Sequence, residues 1–237
     1  MTEQTLLSVR AEARRTIAPD YVTVHCGLST KADSKVAALG QLRAAQQVLI
    51  GALTELGGTP LTVESRRSGL TWSVGSVGTH DEHDLDKASG RHSPTGRVIA
   101  NARVVITGRD MALLPKLEEA VGSVERLNVD GITWHVDVDN EEWRAVRADA
   151  IAAALAKGRD YAAALGGTVT TVDHVADAGL LSSGDMQAAR ALSYGSPGAA
   201  TAAEFSGPSS TPSLDPVPQE IHAVVEARLT AQIGPLR

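Results

Sequence analysis

The stretch Arg147–Gly166, RADAIAAALAKGRDYAAALG, decides the fold of this chain. Its alanine content predicts a long helix over about residues 141–165. The glycine pair Gly166-Gly167 ends that helix, because glycine readily takes the left-handed conformation that closes a last helical turn. Alanine side chains are short, so another element can pack close along the helix. The stretch therefore predicts a packing surface rather than a reactive site.

Both ends of the chain predict strands that this helix would cover. Residues 6–17 and 221–230 alternate between apolar and polar side chains, which is the pattern of half-buried strands. A further strand is predicted at 168–176. We expect the first and last strands to pair, so that the two ends of the chain meet in one small sheet. Residues 178–216 are rich in Gly, Ser, Ala and Pro, and predict a flexible loop.

The middle of the chain predicts a second layered unit. Its predicted elements are a strand at 21–28, a helix from a cap at Asp33 to Gly57-Gly58, strands at about 60–77 and 96–107 with a polar loop between them, a short helix capped by Asp110, and a strand at about 128–138. This order, β-α-β-β-α-β, is that of a ferredoxin-like fold. The predicted class is α+β, with a ferredoxin-like unit at 20–138 and a second unit formed by 1–19 with 139–237.

Composition argues against two classes of partner. The formal net charge is −6, the isoelectric point is near 5.6 and aromatic residues make up 3% of the chain. Nucleic-acid-binding proteins instead show a clustered basic face or aromatic stacking residues. The chain contains no run of about 18 apolar residues, which is the length that a membrane-spanning helix needs. The N-terminus has no signal-peptide pattern, so we expect a cytoplasmic protein, or a periplasmic or extracellular one if a leader has been removed.

Reactive groups with a recognisable signature are few. The single cysteine, Cys26, rules out an internal disulfide and any multi-cysteine metal site. It alternates with valines and a leucine on one face of a strand, so a buried and inert thiol is predicted. The chain has no Gly-x-Ser-x-Gly elbow, phosphate-binding glycine loop or His-Glu-x-x-His motif. We therefore predict no catalytic residue and no cofactor.

The sharpest polar cluster is THDEHDLD at residues 79–86, followed by His92. Histidine and carboxylate groups suit zinc and similar metals. The candidate metal ligands are His80, His83, Asp84 and His92. A metal site requires these side chains to converge on a rigid frame, whereas glycines flank the segment. A solvated loop between two strands is the alternative interpretation.

A second candidate group alternates along the predicted strand near its end. His135, Asp137 and Asp139 would project from one face, where a histidine with two carboxylates could perform acid–base chemistry. In the alternative interpretation Trp134, Val136 and Val138 form the core face, the polar set faces water, and Asp139 or Asn140 caps the next helix. The alternative is the stronger prediction.

Taken in order, several short fragments resemble the SIMPL-domain family, also catalogued as a domain of unknown function, DUF541. They are Ala18-Pro19-Asp20, the strand Ile99–Ile106 with Arg109-Asp110, Gly131-Ile132, Arg147-Ala148, Lys157-Gly158, Tyr161-Ala162, Leu165-Gly166, the strand Val169–Val175, and Pro216-x-Pro218 before Ile221. The resemblance covers nearly the whole chain. The family usually has alanine where Gly158 stands, and many bacterial relatives carry an export signal that this chain lacks.

The resemblance implies an α+β fold in two parts and assembly into rings or larger oligomers. It also implies a role among bacterial envelope or stress-protective proteins, or as a signalling adaptor, and it transfers no catalytic residue. The leading hypothesis is therefore a non-enzymatic protein that assembles with copies of itself and acts through an interaction surface. A separate hypothesis makes the loop 178–216 a docking tether for a protein partner. The alternative is a metal- or small-molecule-binding protein, or an enzyme, that uses the segment from His80 to His92 or the face from His135 to Asp139.

Overall fold

The structure, a computed structural model, describes residues 3–86, 91–181 and 213–234. The strands are β1 (Glu3–Ile17), β2 (Tyr21–Ala32), β3 (Thr59–Pro60), β4 (Leu70–Asp86), β5 (Arg91–Gly108), β6 (Leu127–His135), β7 (Thr168–Asp177) and β8 (Gln219–Ile233). The α-helices are α1 (Lys35–Glu55), α2 (Leu114–Ser123) and α3 (Glu142–Ala164). Within the described residues, no helix is both long and apolar enough to cross a membrane. The predicted α+β class is confirmed.

These elements fall into two compact units. The terminal unit contains residues 3–18, 136–181 and 218–234, and the central unit contains residues 19–86, 91–135 and 213–217. Each unit has one sheet: α3 packs on that of the terminal unit, and α1 and α2 belong to the central unit.

The sheet of the terminal unit has the strand order β1-β8-β7, with antiparallel neighbours. β1 and β8 pair without a break from Glu3↔Ile233 to Ile17↔Gln219. The prediction that the first and last strands meet in one sheet is therefore confirmed. α3 packs mainly on β1 and β8.

The face of α3 that meets this sheet is a stripe of small residues. Its buried members are Val146, Ala150, Ala154, Gly158 and Ala162. A Cβ atom placed on Gly158 would overlap Cδ1 of Leu229, a fully buried residue of β8. The helix therefore lies as close to β8 as a backbone without a side chain allows. The helix ends at Ala164, and Gly166, which follows the C-cap Leu165, has φ +68°, as expected of the predicted glycine stop.

The sheet of the central unit has the strand order β3-β4-β5-β2-β6. Its four long strands are mutually antiparallel neighbours, and the short strand β3 runs parallel to β4 at the edge. Counted along the chain, the long strands lie in the order second, third, first, fourth. This is the ferredoxin-like arrangement, so the predicted β-α-β-β-α-β order is confirmed.

Larger side chains fill the core of the central unit. α1 contributes Leu42, Leu49 and Leu53, which are at most 1% exposed, and α2 adds Leu117 and Val121. α1 ends at Glu55, and Gly57, which follows the C-cap Leu56, has φ +78°. This repeats the ending of α3.

The predicted N-cap of α1 is wrong by one residue. Ser34, not Asp33, has the extended cap conformation, and its hydroxyl accepts a hydrogen bond from the amide of Ala37 at 3.2 Å. Asp33 instead lies 3.7 Å from the guanidinium of Arg97. Aspartate and serine are equally good caps, so adjacent candidates cannot be ranked by residue type. The predicted cap Asp110 is confirmed, since its carboxylate accepts the amide of Ala112 at 3.0 Å.

Most of the predicted loop 178–216 lies outside the described residues, which omit 182–212. Its first residues are held by β8: the amides of Gly179 and Leu181 donate to the two carboxylate oxygens of Glu226 at 3.0 and 3.1 Å. At the other end, Leu214 is buried in the core of the central unit. Its amide donates to Glu118 at 3.2 Å.

Candidate functional site

The segment predicted as a polar loop is the outer part of a β-hairpin. β4 continues to Asp86 and β5 begins at Arg91. Residues 81–86 and 91–97, which we call the arm, have no strand neighbour in the described chain except each other, since β2 joins β5 from Val98 onward. The loop prediction was wrong because the arm is largely exposed on both faces, so no apolar alternation marks its strands.

The arm separates the predicted metal ligands. Ladder positions put His83 and His92 on one face, as diagonal neighbours. Asp84 projects from the opposite face, because successive residues of a strand alternate. His80 lies beyond a register irregularity that follows Asp81. Within residues 3–86, 91–181 and 213–234, no group of three or more His, Cys, Asp or Glu is placed to hold a metal ion.

A carboxylate that the sequence did not single out fastens the base of the arm. Glu82 forms an ion pair with Lys31 of β2 and accepts a hydrogen bond from the Thr95 hydroxyl at 2.7 Å. The Lys31 ammonium, and then the Thr95 hydroxyl, hold the pKa of the Glu82 carboxyl below its usual value. Glu82 thus serves as an anchor between the arm and the central sheet.

The structure does not align His135, Asp137 and Asp139 on one strand. β6 ends at His135, and the residues that follow form a turn, so the prediction of a shared strand face was wrong. The carbonyl of Asp137 accepts a hydrogen bond from the Trp143 indole at 2.9 Å. This bond helps to turn the chain from β6 toward α3.

The alternative interpretation of this segment is confirmed in part. Trp134 and Val136 are buried as predicted, but Val138 is 85% exposed because it lies in the turn. Asn140 accepts the amide of Glu142 at 2.9 Å, as expected of a cap for the next helix. His135 stacks on Tyr21, with ring centroids 4.5 Å apart, and the guanidinium of Arg109 covers the Tyr21 ring.

Cys26 lies in the core of the central unit and is fully buried. Burial, and to a lesser degree the charge of Asp130, raises the pKa of its thiol to about 12. A thiol with that pKa is protonated near neutral pH and is a poor nucleophile. The predicted burial of the thiol is confirmed.

The pairing of β7 with β8 identifies an apolar surface in the terminal unit that the sequence analysis did not predict. Val169, Val172 and Val175 pair with buried residues of β8 and therefore project from the face of the sheet that carries α3. Val172 is nevertheless 50% exposed and Val175 43%. β7 is the edge strand, and α3 contacts it much less than it contacts β1 and β8.

Residues of α3 extend this surface. Asp149 of α3 is bonded to Arg15 of β1, which identifies the side of the helix that faces β1. Helical geometry places Ile151 and Leu155 on the opposite side, toward β7. We call the surface formed by Ile151, Leu155, Val169, Val172 and Val175 the α3–β7 flank.

The central unit has a groove between α1 and β4, with a volume of about 320 Å³. Its lining residues are Lys35, Leu39, Leu42, Arg43, Gln46, Val77 and Thr79. The ladder pairs Val77↔Ala102 and Thr79↔Ala100 place the two β4 residues on the helix-bearing face of the sheet. No local sequence signal marks this groove, because its two walls are about 40 residues apart in the chain.

Comparison with known proteins gives one family match. The model of a family described as SIMPL, a protein of unknown function (DUF541), matches residues 7–229. The matched span begins in β1 and ends in β8, so it includes elements of both units. No curated protein matches the chain.

Proposed function

The chain belongs to the SIMPL family, whose function is unknown, and on this premise we propose that it is a non-enzymatic protein that assembles with copies of itself. Its function would lie in the surfaces that assembly forms, in a stress-related role of the kind that the family resemblance implies. The observation that carries the proposal is the α3–β7 flank, in which Ile151 of α3 and Val172 and Val175 of the edge strand β7 are exposed.

The flank is exposed because one helix is too narrow for the sheet. Neighbouring strands lie about 4.8 Å apart, and a helix with its side chains is about 10 Å wide. α3 packs mainly on β1 and β8, so Val172 and Val175 of β7 are only about half covered. A second copy docked on this side would bury them. A pair related by a two-fold axis would bring the same surface of each copy into contact.

The edge of β7 favours contact through side chains over extension of the sheet. Register irregularities follow Val169 and Val172, and such bulges blunt an edge against strand addition. Asp173 stabilises the second bulge by accepting hydrogen bonds from Thr230 at 2.6 Å and Thr171 at 2.9 Å. These bonds, that from Thr230 first, hold the pKa of the Asp173 carboxyl below its usual value. The apolar flank is therefore the proposed contact.

Two features support the non-enzymatic part of the proposal. Cys26, the strongest potential nucleophile, is buried and protonated. The ring of His135 stacks on Tyr21 at the end of β6. The side chains of Cys26 and His135 are thus part of the packing of the central unit.

The assembly is tested by light scattering of the full chain across a range of micromolar concentrations. We expect a mass that is a multiple of 24.7 kDa. Val172→Asp and Val175→Asp should each raise the dissociation constant about tenfold or more, because a carboxylate buried at an apolar contact is costly to desolvate.

Val63→Asp is the matched control. Val63 is 81% exposed and lies in a loop of the central unit, so its substitution should leave the mass unchanged. A wild-type mass of one chain at every concentration would refute assembly. If both flank substitutions leave the mass of the assembly unchanged while Val63→Asp lowers it, the contact between copies does not involve the α3–β7 flank.

A second candidate function is binding of a metal ion by the arm. Its support is the position of His83 and His92 as diagonal neighbours on one face, within reach of a bridging ion. Calorimetric titration with Zn²⁺ should give one site that His83→Ala and His92→Ala each abolish. Asp84→Ala, on the opposite face, is the control. Equal binding by wild type and both histidine variants would reject this candidate.

A further inference from the structure

The groove between α1 and β4 lies in the central unit and plays no part in the proposed assembly. Its volume of about 320 Å³ is roughly that of ten water molecules, at the lower end for sites that bind small organic molecules. We infer that it binds a small organic anion, a carboxylate that carries a short unbranched apolar chain.

The polar groups on the groove suit an anion. Lys35 and Arg43 line it, and the lining residues include no carboxylate. α1 has no acidic residue before Glu55, so neither cation has an acidic neighbour one turn away on the helix. Neither forms an ion pair within the described ranges 3–86, 91–181 and 213–234. The side chains are exposed, so their positive charges are available to a ligand.

Gln46 indicates where the carboxylate head would lie. It follows Arg43 by three residues, so the two side chains are neighbours on the helix surface. Its amide nitrogen is buried and has no hydrogen-bond partner in the part of the chain that the structure describes. A buried donor without an acceptor is unfavourable. A carboxylate beside Arg43 supplies that acceptor after a small rotation of the amide, and the guanidinium can bind the same carboxylate through two hydrogen bonds.

The floor of the groove explains the apolar chain of the ligand. Leu39 and Leu42 of α1 face Val77 of β4, and Val77 is 49% exposed. Leu42 is already buried. An alkyl chain that extends from the head at Arg43 therefore removes the remaining apolar surface of Leu39 and Val77 from water. Inorganic phosphate would neutralise the charges of Lys35 and Arg43 but would leave the apolar floor of the groove exposed to water. A neutral alcohol would cover the floor but would leave both cations without a counter-charge. A carboxylate with a chain satisfies both.

The test is a calorimetric titration of the full chain with octanoate, followed by amide NMR. We expect saturable binding with a dissociation constant of about 1 mM or tighter, as is usual for a ligand of about ten heavy atoms. Butyrate should bind more weakly because it covers less of the floor, and octanamide because it lacks the charge. The amide signals of Leu39 and Val77 should shift together on addition of octanoate.

Arg43→Gln should weaken octanoate binding about tenfold or more, because it removes a charge-assisted contact. Lys35→Gln should weaken it less. Lys116→Gln makes the same charge change at an exposed position of α2 and should have no effect. Absence of saturable binding, or equal losses in Arg43→Gln and Lys116→Gln, would overturn the inference. The mass of Arg43→Gln measured by light scattering should equal that of wild type. The binding inference and the assembly proposal can therefore be refuted separately.

Discussion

In the central unit α1 packs on its sheet through leucines, whereas in the terminal unit α3 packs through alanines and one glycine. Leu49 and Leu53 fill the space between α1 and its sheet with side-chain volume. Gly158 leaves no such space, because Leu229 of β8 occupies the position where its side chain would be. Side-chain volume therefore fills the space between α1 and its sheet, whereas α3 lies so close to its sheet that no such space is left. We call these two contacts the leucine layer and the alanine layer.

The two layers should therefore fail in opposite ways. Removing atoms from a leucine contact leaves a cavity, and the loss of stability grows with the cavity volume. Adding atoms to a close contact forces side chains and backbone apart. Both helices nevertheless end in the same way, before glycines with positive φ: Gly57 after α1 and Gly166 after α3. The difference lies in the packed faces and not in how the helices stop.

The largest effect is expected in the leucine layer. Leu49→Ala should lower the free energy of unfolding by about 2–5 kcal/mol, because the fully buried side chain leaves a cavity. The measurement is urea denaturation followed by Trp72 and Trp134, which belong to the central unit. Ala154→Gly in α3 removes less volume and should cost about 1 kcal/mol, mainly through helix propensity. Equal losses for the two variants would contradict the distinction between the layers.

The next prediction adds side-chain atoms to the contact between α3 and β8 instead of removing them. Gly158→Val should destabilise the terminal unit by about 1–3 kcal/mol, because the added atoms collide with Leu229. Unfolding followed by the fluorescence of Trp143, which lies in α3, measures it when Trp72 and Trp134 are replaced by phenylalanine in both the variant and its reference.

Gly51 in α1 is the matched control. A Cβ atom there would meet nothing within 4 Å, so Gly51→Ala should stabilise by about 0.4–1 kcal/mol. If Gly158→Val were neutral, α3 would not depend on its close approach to β8.

The last effect appears only at alkaline pH, where the stability of the central unit depends on the Cys26 thiol. The Cys26 thiol has a folded pKa of about 12 and a reference value of 9.0. Below pH 9 both states keep the proton, and the contribution to stability is complete. Between pH 9 and 12 the unfolded chain loses the proton first, so the free energy of unfolding falls as pH rises. Cys26→Ala should fall less steeply over this range than wild type, and identical slopes would refute the assignment.

Much of the fold could be predicted because it rests on local signals. The alternation of residues 6–17 and 221–230 marks half-buried strands, and the glycine pairs mark the ends of two helices. The arm could not be predicted, since strands exposed on both faces have no apolar period. The choice of Ser34 over Asp33 depends on backbone angles that residue type does not determine.

The candidate sites were predictable to a smaller extent. His83 and His92 could be listed from composition, but only the ladder shows that they share a face that Asp84 does not. The groove depends on Val77 lying opposite Leu39, and the α3–β7 flank depends on which strands α3 covers. Such contacts between distant residues are decided by packing of the whole unit and leave no local pattern.

The unbroken ladder between β1 and β8 has a mechanical consequence. Glu3 and Ile233 form its outermost pair, so a force applied between these residues pulls on one end of the ladder. The strands would then separate one pair at a time, with the load on a single pair at each moment. A force applied between Glu3 and Gln219, at opposite ends of the ladder, would load all fifteen residues of β1 together. In a single-molecule pulling experiment, the first geometry should open at the lower force.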